Sequence, residues 1–139
     1  MMRFRPTAAW LLLPLFALAG CGKTETGPPP VTAQQALTEV GGMYKEYTKD
    51  HKRPPQKLSD FDHPYEAAAI DGYAALRDGT CVMLWGGSLP GASAAATVLA
   101  YEKDVPTAGG QVLFQDGTVR GVTADEFKAA PKAGKPAGG

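Results

Sequence analysis

The sequence predicts an α+β domain, with one long N-terminal helix packed on a small antiparallel sheet of three to four strands. Three observations predict it. Apolar residues recur at three- and four-residue steps from Ala33 to Tyr47, apolar runs bounded by glycine follow only after residue 80, and Asp116-Gly117 separates the last two of them. The chain has 139 residues, the size of one domain. Its 44% apolar and 20% charged residues fit a modest core and exclude wholesale disorder. With 14 basic against 14 acidic groups there is no concentrated basic face, so nucleic acid is excluded as a partner. Two cysteines exclude a disulfide scaffold.

The elements follow in order. Thr32 is the expected N-cap, with Gln35 at the capping-box position. Ala33, Ala36, Leu37, Val40, Tyr44 and Tyr47 form the apolar stripe of a helix ending near His51, before Pro54-Pro55. Gly41-Gly42 interrupts it at a cost of roughly 1 kcal/mol each, so the helix either kinks there or receives a closely packed element. Leu58 and Phe61 anchor a short docking turn. Residues 64–77 are ambiguous: Pro64 to Ala69 fits one helical turn or more, and turns are expected at Asp71-Gly72 and Asp78-Gly79. Cys81 to Trp85 reads as a strand buried on both faces, and Gly86 to Ala95 as a small-residue loop. Thr97 to Glu102 is a second strand, and the segments 111–115 and 118–122 form a hairpin. A two-residue turn there pairs Phe114 with Val119 and Leu113 with Arg120. Thr123 then caps a helical turn from Ala124 to Ala129, with Glu126 completing a capping box and Phe127 turned inward. Residues 129–139 hold no branched or aromatic side chain and are expected to be disordered.

The N-terminus reads as an address. Arg3 and Arg5 precede a twelve-residue uncharged stretch from Ala8 to Ala19, too short to span a bilayer but suited to a secretory signal. Leu18-Ala19-Gly20-Cys21 resembles the lipobox of bacterial lipoproteins. The resemblance implies cleavage between Gly20 and Cys21, a diacylglyceryl thioether on Cys21, and a membrane as the first partner. An ordinary signal peptide with a chance cysteine is the alternative. Two or three acyl chains, at about 0.8 kcal/mol per buried methylene, anchor far more firmly than one. Removing twenty residues of 139 leaves 119, with 12 basic against 14 acidic groups. Gly22 in place of Asp after the cysteine favours the outer membrane under the enterobacterial sorting rule. Gly22 to Pro30 is a polar spacer whose three prolines favour extended polyproline II.

A long N-terminal helix, a Pro-Pro loop and a sheet ending in Val112-Leu113-Phe114-Gln115-Asp116-Gly117-Thr118-Val119 resembles the globular half of a type II secretion pseudopilin, more narrowly the H-x9-DG pilin-like proteins. Pro106 stands where those proteins carry the histidine, so no role of that histidine transfers. The resemblance implies secretion or envelope proteins as partners. It also raises a calcium loop, for which Glu102, Asp104 and Asp116 are the acidic residues at hand, without EF-hand spacing. A pilin's membrane-spanning assembly helix is replaced here by the lipidated cysteine and spacer, which implies display of a single domain rather than a filament.

Catalytic chemistry is sparse. His51 stands at a helix C-terminus, where the dipole favours a cation. Asp60, Asp62 and His63 form a D-x-D-H run that offers two carboxylates and an imidazole to a metal or ligand, against the plain reading of a solvated loop. Cys81 is a nucleophile only if a base lowers its pKa, and its apolar neighbours point to an inert buried thiol. Ser88 and Ser93 lack a nucleophile elbow, and Gly86-Gly87 and Gly109-Gly110 lack a phosphate-binding pattern. Tyr44, Tyr47, Tyr65, Tyr73, Trp85 and Tyr101 supply aromatic area for packing or recognition. The sequence therefore predicts a lipid-anchored, non-enzymatic interaction module needing no cofactor. The alternatives are a small metal- or ligand-binding lipoprotein or enzyme using His63 with Asp60 and Asp62, and a structural envelope component.

Overall fold

A computed structural model describes residues 31–137. The expected leader, the expected cleavage at Gly20 and Cys21, the expected lipidation of Cys21 and the spacer to Pro30 lie outside the described residues. Helix α1 spans Ala33–His51, opened by the Thr32 hydroxyl, which accepts the Gln35 N–H, and closed by Lys52 in the left-handed conformation. The Gln35 side chain does not complete the box and reaches Asp71 instead. Ala36, Leu37, Val40, Met43, Tyr44 and Tyr47 are buried along one side. The helix runs unbroken through Gly41-Gly42, because Gly41 receives Leu113 from the sheet: a Cβ there would lie 3.1 Å from Leu113 Cδ1.

A 3-10 turn at Leu58–Phe61 buries Phe61 completely. Helices α2 (Tyr65–Ala68) and α3 (Ile70–Arg77) follow. Asp71-Gly72 is therefore not a turn, and the expectation is corrected. Both residues lie in the first turn of α3, where Gly72 meets α1 so closely that a Cβ would stand 2.8 Å from Glu39 Cβ and 2.9 Å from the Ala36 carbonyl oxygen. Glu39 accepts the Gly72 N–H at 2.8 Å, which fixes the crossing.

The sheet has five antiparallel strands, not three to four: β1 (Cys81–Trp85), β2 (Val98–Glu102), β3 (Gly110–Phe114), β4 (Val119–Val122) and β5 (Lys135–Pro136), in the order β4-β3-β2-β1-β5. On the α1 side lie Cys81, Met83, Leu99, Ala100 and Leu113. A register shift between Val98 and Ala100 turns both Leu99 and Ala100 toward the helix. The opposite face carries Leu84, Val98, Val112 and Phe114 beneath Val105 of α4 (Val105–Ala108) and Phe127 of α5 (Ala124–Ala129). The Thr123–Glu126 capping box of α5 is present in both directions.

The hairpin register differs from expectation by one residue. Leu113 pairs with Val119 and Val112 with Arg120, not Phe114 with Val119 and Leu113 with Arg120. The Phe114 N–H donates to the Thr118 carbonyl and the Gly117 N–H to the Phe114 carbonyl, so the loop has three residues, with Gly117 at φ 90°. The extra residue keeps Phe114 on the face away from α1.

The expected disorder after residue 129 is also corrected for residues 130–137. Val98 donates its N–H to the Pro131 carbonyl and accepts the Ala133 N–H, each at 2.8 Å, and Lys135–Pro136 then pairs with Leu84–Trp85 as β5. Backbone pairing and close approach hold the segment, and neither needs a large apolar side chain. At Gly87 any Cβ would collide with the Ala133 carbonyl, and at Gly134 with that of Trp85.

Candidate functional site

The D-x-D-H residues do not converge. The Asp60 carboxylate accepts the Gln56 N–H at 2.7 Å and lies 3.7 Å from Arg53 Nη1. Asp62 accepts the Tyr73 hydroxyl at 2.7 Å, a bond that raises the Tyr73 pKa ahead of burial. His63 is exposed. The two carboxylates thus brace the loop to the end of α1 and to α3. Among the described residues no three His, Cys, Asp or Glu side chains are placed to hold a metal ion. His51 stacks on Tyr47 with ring centroids 4.1 Å apart, and its Nδ1 lies 3.1 Å from the Tyr47 carbonyl oxygen.

Cys81 is buried under α1, and desolvation, with Glu102 nearby, pushes its thiol up to about 11. At neutral pH it carries almost no thiolate. Glu102 accepts the Gln111 N–H, while Asp116 lies in the hairpin loop at the far end of β3, where the Thr118 hydroxyl and N–H hold its pKa below the ordinary value. At about 3.3 Å per residue, a strand's length separates Asp116 from Glu102 and Asp104, so the three do not form one loop site. The Ser88 carbonyl accepts from Gln115 Nε2 and the Ser93 carbonyl from the Thr97 hydroxyl. Of the glycine pairs, Gly87 packs against the Ala133 carbonyl and Gly109 against that of Val122. Tyr44 and Tyr47 are core residues, and Tyr65, Tyr73, Trp85 and Tyr101 are half-buried.

A different feature combines open backbone with an apolar hollow. Among the described residues, β4 has a partner only on its β3 side. The 114–118 pair exchanges a ladder hydrogen bond, so by antiparallel alternation Arg120 and Val122 also bond inward and Val119 and Gly121 aim their N–H and C=O outward. On the face away from α1, a groove of about 550 Å³ runs from this edge between the sheet and α5, lined by Val98, Phe114, Arg120, Val122, Phe127 and Ala130 among others. The Arg120 guanidinium stands 4.1 Å above the Phe114 ring. Glu126, also on the groove, is engaged by the Thr123 N–H at 2.7 Å, which lowers its pKa.

No family model, curated protein or solved structure matches the chain.

Sequence reading missed the groove because its parts come from four separate segments. The signal that was present is the short, glycine-containing Val-Arg-Gly-Val strand, which lacks the lysine or proline that commonly guards an edge.

Proposed function

We propose that the chain is a lipid-anchored, non-enzymatic envelope protein that displays one interaction domain, held by acyl chains on Cys21 after cleavage behind Gly20. The observation that carries this reading is the way the folded body begins. Thr32 caps α1 with its own hydroxyl, which accepts the Gln35 N–H, so the helix carries its own start signal, and Gly22 to Pro30 would serve as a tether. No described helix is long and apolar enough to cross a membrane. The order of long helix, Pro-Pro loop and antiparallel sheet with an Asp-Gly hairpin supports a pseudopilin-like head, with secretion or envelope-assembly proteins as partners. Gly22 favours the outer membrane as the site of display.

Mass spectrometry of the protein purified from cells fed labelled palmitate tests the anchor. The expected species begins at an acylated Cys21. A chain that retains Met1, or carries a free Cys21 thiol, overturns the reading.

A further inference from the structure

We propose that the β4 edge and the adjoining groove are a docking site for an extended peptide segment of a partner protein, carrying one large apolar side chain and a nearby carboxylate. The inference deepens the interaction-module reading and rests on it. Its first support is the edge itself. Val119 and Gly121 aim N–H and C=O groups outward that have no partner among the described residues. The second is the groove, which begins on the same strand. A strand added to β4 would place alternate side chains beside Arg120 and Val122, at the mouth of the hollow floored by Phe114, Val98 and Phe127. The third is charge. Among the described residues no carboxylate lies within ion-pair distance of Arg120, although Asp116 and Glu126 stand near enough for its charge to help lower their pKa values. Arg120 thus places a cation over Phe114 at the groove mouth, with no carboxylate in direct contact among the described residues, where an acidic residue of the ligand can pair with it.

Two other occupants fit less well. Hydrocarbon would fill the groove yet leave the edge N–H and C=O groups unanswered. A second copy pairing antiparallel through β4, with Val119 bonded to Gly121, would set Arg120 directly beside its own symmetry mate, and like charges placed opposite in a sheet repel.

The test selects random nonapeptides displayed on phage against the full chain purified in detergent. Enrichment of peptides with an apolar residue and an acidic residue in an otherwise extended, proline-free context is expected. Gly121→Pro removes an outward donor without touching the β3 ladder, and Arg120→Glu inverts the charge. Each should weaken binding by about tenfold or more, the scale of one lost hydrogen bond or charged contact. Gly121→Ala, which meets only Gln111 Nε2 at 3.7 Å, should keep affinity. Peptide should also slow hydrogen exchange at the Val119 and Gly121 amides of the unmutated chain, a readout independent of whether the proline variant folds. The proposal is overturned by an absence of enrichment, by affinities indifferent to Arg120→Glu, by unchanged exchange at both amides, or by a wild-type chain that sediments as a dimer through β4. Because the mass of Cys21 is measured separately, a failed edge and a failed anchor are told apart.

Discussion

Cys81 shows how burial decides the chemistry of a single side chain. It sits in the α1-side core with its thiol near 11, so the protonated form dominates up to alkaline pH. Iodoacetamide at pH 8 should leave Cys81 unmodified in the folded protein and label it fully in denaturant, as read by peptide mass. Rapid labelling of the native chain would contradict the burial. This inertness was legible in the sequence, because Val82, Met83 and Leu84 announce an apolar strand. The fates of Asp60 and Asp62 were not. Their partners, Arg53, Gln56 and Tyr73, include residues from beyond the local run, and only the fold brings them to the carboxylates.

Helices and strands were most readable where they carry their own punctuation. Thr32, the Thr123–Glu126 box and the glycines around Cys81–Trp85 act within a few residues, so α1, α5 and β1 follow from local chemistry. Asp71-Gly72 failed for the opposite reason. Its glycine serves a contact with another helix, and nothing nearby in the chain says so. Gly72→Ala should therefore cost about 1–3 kcal/mol as α3 is pushed from α1. Gly42→Ala, with open space around it, should instead stabilise by about 0.5–1 kcal/mol. Urea unfolding of the two variants measures both, and equal effects would contradict the close crossing. The hairpin register slipped in the same way. Asp-Gly marks the turn, but the burial of Phe114 opposite α1 selects the three-residue loop.

At the scale of the whole molecule, helix on antiparallel sheet was legible in advance, and the last strand was not. Composition argued against any structure beyond Ala129, and backbone pairing with Val98, Leu84 and Trp85 overrides it. Lys132 adds to the closure, donating its ammonium to the Phe127 and Ala130 carbonyls above the Phe127 ring, with its pKa lowered by desolvation. Deleting residues 130–139 should lower stability by about 2 kcal/mol, the worth of the two hydrogen bonds to Val98 alone. Calorimetry reads this as a clear drop in Tm, and an unchanged Tm would make the closure incidental. The closure also has a temporal consequence. β1 is synthesised well before residues 135–136, yet its outer edge gains a partner only from them, so the sheet reaches its full five strands only once this late segment has emerged.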